Sequence, residues 1–157
     1  MRLYADTNFL IRLFLDFDQT QSSWSLLKNC KENIVSPIPV PPLLRFECLN
    51  AINRMVFESR TSGQWRVTPE SAAIGCNFFE EELTNGKLLK SVSIPWNDLN
   101  PIFDSLVNQY TQKHGFRTYD MVHVSSALAL KCNTFWSYDI KARKLAELVG
   151  LETNSLN

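Results

Sequence analysis

The chain has 157 residues, 45% of them hydrophobic and 20% charged, and its 16 basic side chains balance its 16 acidic ones. That length points to one domain over 1–157, able to bury roughly 68–70% of its unfolded surface without a staple. A neutral balance argues against a protein that grips duplexes through bulk positive charge, but leaves room for an acidic centre offset by basic residues elsewhere.

In chain order, Leu3-Tyr4-Ala5 reads as a short buried strand, Asp6-Thr7-Asn8 as a polar turn, and Phe9 to Leu15 as a helix. Gln21 to Lys31 has helical spacing, and Ile34-Val35-Ser36 reads as a second strand. Pro37, Pro39, Pro41 and Pro42 exclude helix interior and central strand, so this cluster reads as a connector, with Pro42 at a first helical position. From Leu43 to about Ser59 a helix places Leu44, Cys48, Ala51 and Met55 on one stripe. Thr68-Pro69-Glu70 opens another helix, which closes near Asn85-Gly86. Leu88 to Ile94 reads as a strand, Asn97 to Lys113 as a helix, and Tyr119 to Leu130 as a helix rich in small residues. Thr134 to Ser137 is the next strand, Ile140 to Val149 the last helix, and a final short strand fits after Leu151. Short apolar strands alternating with helices predict an α/β fold with a parallel sheet covered on both faces.

Four cysteines (Cys30, Cys48, Cys76 and Cys132) form no CxxC pair and read as free thiols in a reducing compartment. Asp6 interrupts the first apolar run too early for a signal peptide, and no run of about 18 apolar residues exists to span a membrane. A cytoplasmic protein is expected.

The chemistry lies in the carboxylates. Asp6 and Asp139 fall just past the carboxyl ends of predicted strands, the edge where open α/β sheets bind ligands. Each precedes a helix, as does Asp120, and taken singly each of the three reads as an N-cap. Glu47 does not fit that reading. It lies within a helix on the stripe of Leu44, Cys48 and Ala51, where a charge needs a metal or an ion-pair partner. Asp120 likewise shares a face with Val124, Ala127 and Leu128. Inward carboxylates that converge repel one another, and a hard cation with oxygen ligands, Mg²⁺ or Mn²⁺, relieves this. Two histidines, His114 and His123, are too few for zinc, and His123, one turn past Asp120, reads as buried and hydrogen-bonded.

Asp6-Thr-Asn after the first strand, Leu44-Arg-Phe-Glu47-Cys-Leu-Asn-Ala, Arg117-Thr-Tyr-Asp120-Met-Val-His-Val-Ser-Ser-Ala-Leu, and Phe135-Trp-Ser-Tyr-Asp139 follow one another in order. With the basic helix from Lys141, they resemble PIN-domain proteins, and among these the toxins of VapBC-type toxin–antitoxin modules, from Leu3 to Leu151. The resemblance implies a three-layer α/β/α sandwich and an Mg²⁺- or Mn²⁺-dependent ribonuclease. Asp6, Glu47, Asp120 and Asp139 match the family's acidic positions, and Asn8 and Ser137 match supporting polar positions. It also implies a protein antitoxin and a homodimer, with the apolar surface of the helices after Phe9 and around Trp24 as the contact area. The stretch between Glu47 and Asp120 is longer than in short members, with the surplus around Thr68 to Asn85. Arg45, Arg117 and Arg143 are candidate RNA contacts, with Arg12, Lys141 and Lys144 beside the motifs. Tyr119 and Trp136 are candidate stacking residues, although an aromatic in such a strand is usually core.

Two other enzyme and signalling classes fit less well. A dehalogenase-type phosphatase needs a second aspartate where this chain has Asn8, and a phosphate-accepting receiver has no place for Glu47 in mid-helix. A PIN-like module that binds RNA or protein without cleaving stays open.

Overall fold

The apolar triplet Leu3-Tyr4-Ala5 is fully buried and forms strand β1 (Leu3–Ala5). It pairs in parallel with β4 (Thr134–Trp136), Tyr4 opposite Phe135, and the two rings stack with centroids 5.7 Å apart. Beyond β4 lies β5 (Glu152–Thr153), also parallel, so the order is β1-β4-β5. Side chains buried on both faces are what a parallel sheet requires. The computed structural model describes residues 1–15, 25, 27–28, 33–63 and 66–154. The helix expected over Gln21 to Lys31, with Trp24 and Cys30, falls mostly outside them.

The second strand is not where the apolar run Ile34-Val35-Ser36 suggests. Val35 is exposed, and the strand is β2 (Ile38–Val40), inside the proline cluster. It pairs in parallel with β3 (Leu89–Ser91). The amide of Ile38 donates to Leu88 O at 2.8 Å, and Val40 O accepts from Val92 N at 3.2 Å. Residues 38 and 40 therefore bond towards β3, and Pro39, between them, turns its donorless nitrogen towards β1, which packs alongside. Proline is tolerated because the missing donor falls on the side where β1 and β2 share no ladder.

Helix α1 (Thr7–Leu15) buries Phe9, Leu10, Ile11, Leu13 and Phe14, so the apolar surface expected after Phe9 belongs to the core. Helix α2 (Pro42–Thr61) starts on Pro42, and α3 (Pro69–Asn85) on Pro69. In α3 the Thr68 hydroxyl accepts from Ser71 N while Ser71 Oγ accepts from Thr68 N, so Ser71 closes the capping box. Gly86 ends α3 at φ 63°. Helix α1 packs against both α2 and α3. Its contact with α3 is tight at Gly75, where an added Cβ would lie 2.9 Å from Leu15 Cδ2 and 3.3 Å from Phe14 O.

Helix α4 (Trp96–Leu106) runs on through a π-helical turn, Val107–Thr111, to His114. It packs on α5 (Thr118–Ala129), which in turn meets α6 (Ile140–Leu148). The result is the expected α/β/α arrangement, a parallel sheet between helices. Cys48, Cys76 and Cys132 are free. Among the described residues no helix is long and apolar enough to cross a membrane.

Candidate active site

Asp6 follows β1 and is 3% exposed. Its amide donates to Trp136 O of the neighbouring strand at 3.0 Å, which ties the turn to β4. Its Oδ1 accepts from Phe9 N at 3.0 Å, and its Oδ2 accepts from the Ser137 hydroxyl at 2.6 Å. Ser137, the first residue past β4, also accepts from Asp139 N at 2.8 Å. One buried hydroxyl thus joins the two strand-end aspartates. Asp139 is the N-cap of α6, its Oδ1 accepting from Lys141 N at 2.7 Å.

Glu47 reaches the same edge from α2. Its Oε2 accepts from the Thr7 hydroxyl at 2.9 Å and bonds His123 Nε2 at 2.5 Å. On the far side of the imidazole, Nδ1 lies 3.1 Å from the Tyr4 hydroxyl. An inward glutamate therefore finds both a hydroxyl donor and a histidine. Asp120 is buried at the start of α5, its Oδ2 accepting from Arg117 N at 2.9 Å. Among the described residues it makes no hydrogen bond to the other three acids.

Burial pushes the Asp6 carboxyl up from 3.8 to about 6, and the negative charge of Asp139 pushes the same way. His123, the Ser137 hydroxyl and the Phe9 amide pull it down without prevailing. Glu47 ends on the other side. Burial raises its carboxyl, but the hydrogen bond and charge of His123, with the Thr7 hydroxyl, hold it below the ordinary 4.5. Two carboxyls at one edge are thus driven apart, as at many functional sites.

The donor chemistry fits a hard divalent cation. Glu47 Oε1, Asp120 Oδ1 and Asp139 Oδ2 each lack a hydrogen-bond partner among the described residues. Asp6 is an anion whose burial a cation would relieve. The set is not preassembled, however. Among the described residues no three His, Cys, Asp or Glu side chains are grouped so as to hold a metal ion.

The remaining candidates sit as follows. Asn8 is exposed on α1 and lines a groove of about 250 Å³ with Arg12, Arg54 and Glu58, while the support expected of it for the acids comes from Thr7. Arg45 pairs with Glu80 at 2.6 Å, and Arg143 donates to Asn154 O at 3.1 Å, so both are engaged within the fold. Arg117, Lys141 and Lys144 are exposed. Arg12 lies 4.4 Å over the ring of Tyr138, beside Asp139. Trp136 is buried against Phe9, whereas Tyr119 is 54% exposed.

Three contributors have little local signal. Thr7 lies between two motif residues and looks like an ordinary first helical residue. Asn154 lies beyond the motifs, yet its Oδ1 accepts from Ser137 N at 2.9 Å and so fixes the loop between β4 and α6. The bond between His123 and Glu47 joins residues 76 apart. The inward stripe of α5 marks His123 as buried without naming its partner.

No protein-family model matches the sequence, and no curated protein matches it significantly. Solved structures do match. The structure of VapBC2 from Rickettsia felis bound to a DNA fragment from its promoter contains a chain 15% identical, with a TM-score of 0.66 over 98% of both chains. VapC20 of Mycobacterium tuberculosis, a Sarcin-Ricin loop cleaving toxin, is 9% identical, with a TM-score of 0.56 over 90% of this chain and 93% of that one. At such identities the likeness establishes the fold, and it is the α/β/α fold that the resemblance implies.

Proposed function

We propose that this chain is a metal-dependent endoribonuclease, the toxin of a type II toxin–antitoxin pair, with Mg²⁺ or Mn²⁺ as its ion. The observation that carries the reading is the join at the sheet edge. On a VapC-like fold, Asp6 and Asp139 follow adjacent parallel strands and share one buried serine, while Glu47 enters beside them from α2. VapC20, a Sarcin-Ricin loop cleaving toxin, supports RNA as substrate. The VapBC2 complex supports a protein antitoxin, and a homodimer is part of the same reading.

Asp6, Glu47, Asp120 and Asp139 would hold the ion, which when bound neutralises phosphate charge and lowers the pKa of bound water. The chain's own residues prepare this. Ser137 fixes Asp6 and the backbone of Asp139 together. Glu47, ionised by its bonds to His123 and Thr7 on Oε2, would offer Oε1 to the ion. Asp120 keeps Oδ1 free at the start of α5. Arg12, Arg117, Lys141 and Lys144 are basic side chains beside the motifs that could meet phosphates. The nucleophile is water, since among the described residues no Ser-His-Asp or Cys-His set accompanies the acids.

A second reading, a PIN-like module that binds RNA or protein without cleaving, is favoured by the lack, among the described residues, of a preassembled metal-binding group. The engagement of Arg45 and Arg143 within the fold points the same way. Asp120→Asn separates the two. Asp120 is the third residue of α5, and an asparagine oxygen there can still accept from Arg117 N, so the fold survives. The nuclease reading predicts that Mn²⁺-dependent cleavage of single-stranded RNA is nearly abolished in the variant. Cleavage as fast as wild type refutes the role of Asp120, and no cleavage by either protein leaves the binding module.

A further inference from the structure

Tyr4, His123, Glu47 and Thr7 form one hydrogen-bonded chain that runs from the sheet interior to the acidic edge. Tyr4 is 1% exposed and stacked on Phe135, so its hydroxyl is a fixed point. It meets His123 Nδ1 at 3.1 Å, and Nε2 meets Glu47 Oε2 at 2.5 Å. An ionised carboxylate only accepts, so the Nε2 proton lies on the histidine and points at Glu47. Thr7 supplies the second donor to the same oxygen at 2.9 Å. Among the described residues Oε2 thus takes two donors and Oε1 takes none.

A hydrogen bond of this kind adds only modestly to net stability, because folding exchanges it for bonds to water. What the chain does provide is a fixed rotamer for a long, flexible acid. Outer groups that orient a ligating carboxylate typically change metal affinity by about 10–100-fold when removed.

We infer that His123 is a positioning residue: braced by the Tyr4 hydroxyl, it clamps Glu47 through Oε2, so that Oε1 is the only oxygen this acid can offer a divalent cation. The inference rests on the nuclease reading and adds to it a role outside the acidic set. His123 is not placed among the ligands: its Nε2 is taken up by Glu47, and its charge also pulls the Asp6 carboxyl down.

The test is Mn²⁺ binding by calorimetry on full-length wild type, His123→Leu, His123→Gln, Tyr4→Phe, Glu47→Gln and the double variant His123→Leu/Glu47→Gln. Thermal unfolding checks that each is folded. His123→Leu is expected to weaken Mn²⁺ binding by about tenfold or more, a size set by other outer-shell orienting groups. His123→Gln, whose amide nitrogen can reach the position of Nε2, is expected to recover most of that loss. Tyr4→Phe gives a smaller loss, and is decisive if His123→Leu does not fold. Residues acting through one another couple, so the double variant should bind no more weakly than Glu47→Gln alone. Wild-type binding in His123→Leu, additive losses in the double variant, or no rescue by glutamine each overturns the assignment while leaving the nuclease reading in place. A wild type that neither binds Mn²⁺ nor cleaves RNA removes both.

Discussion

Replacing Asp6 by asparagine should stabilise the metal-free protein at neutral pH while destroying its metal binding. The folded chain holds the Asp6 proton more tightly than the unfolded chain does, because burial and Asp139 raise its carboxyl from 3.8 to about 6. Its contribution is therefore fully favourable below about pH 3.8, declines as pH rises towards 6, and is lost above that. At roughly 1.4 kcal/mol per unit of pH, the ionised Asp6 costs the folded state about 3 kcal/mol at pH 7.5. Asparagine has nothing to ionise, its oxygen can still accept from Phe9 N, and its amide can donate to Ser137 Oγ. Some of the gain goes on imperfect hydrogen-bond geometry, which leaves about 1–3 kcal/mol. The assay is urea unfolding of wild type and Asp6→Asn in chelator, in steps from pH 4 to 7.5. The variant should gain on wild type through the window from 4 to 6 and stay ahead above it. Added Mn²⁺ should stabilise wild type only. A variant no more stable than wild type at pH 7.5, or a difference that does not vary with pH, refutes the electrostatic account of this edge.

Ser137→Ala removes a donor to Asp6 and an acceptor for Asp139 N; it should raise the Asp6 carboxyl further and cost about 1–3 kcal/mol, read by carboxyl NMR titration and urea unfolding. Thr7→Val takes one donor from Glu47, whose lowered carboxyl stabilises the fold above about 4.5 and loses that stabilisation as pH falls. The variant should show a smaller loss of stability on acidification below 4.5, with a carboxyl closer to the ordinary value by NMR. Gly75→Ala brings a methyl to 2.9 Å from Leu15 Cδ2 and 3.3 Å from a backbone oxygen that cannot swing aside; a loss of about 1–3 kcal/mol in thermal unfolding is expected. A variant as stable as wild type would falsify the close packing of α1 on α3.

The elements that sequence patterning places well are those with strong local punctuation. Thr68-Pro69 and Gly86 frame α3, and the fully apolar Leu3-Tyr4-Ala5 marks β1. The strand at Ile38 was hidden because Pro39 argues locally against a strand, and only the arrangement of β3 and β1 decides which side can lack a donor. The same division holds at the site. Asp6 and Asp139 are visible as acids ending apolar runs, and Glu47 as a charge on an inward stripe. Their partners are not, because each lies far along the chain: Glu47 meets His123, Asp6 meets Ser137, and Ser137 meets Asn154. Spacing can mark a buried histidine or serine, but which carboxylate it serves is set by strand order. The basic residues mislead for a related reason. Charge beside a motif is legible, but its engagement elsewhere, as with Arg45 and Glu80 or Arg143 and Asn154, is tertiary.

The central claim is that the acids at this edge act through a divalent cation on RNA. The most direct measurement is cleavage of a labelled single-stranded RNA by the purified wild-type protein in three conditions: Mn²⁺ added, chelator added, and Mn²⁺ restored in excess over chelator. The account predicts cleavage, its loss, and its return. Cleavage that persists in chelator, or RNA left intact in all three conditions, would contradict it.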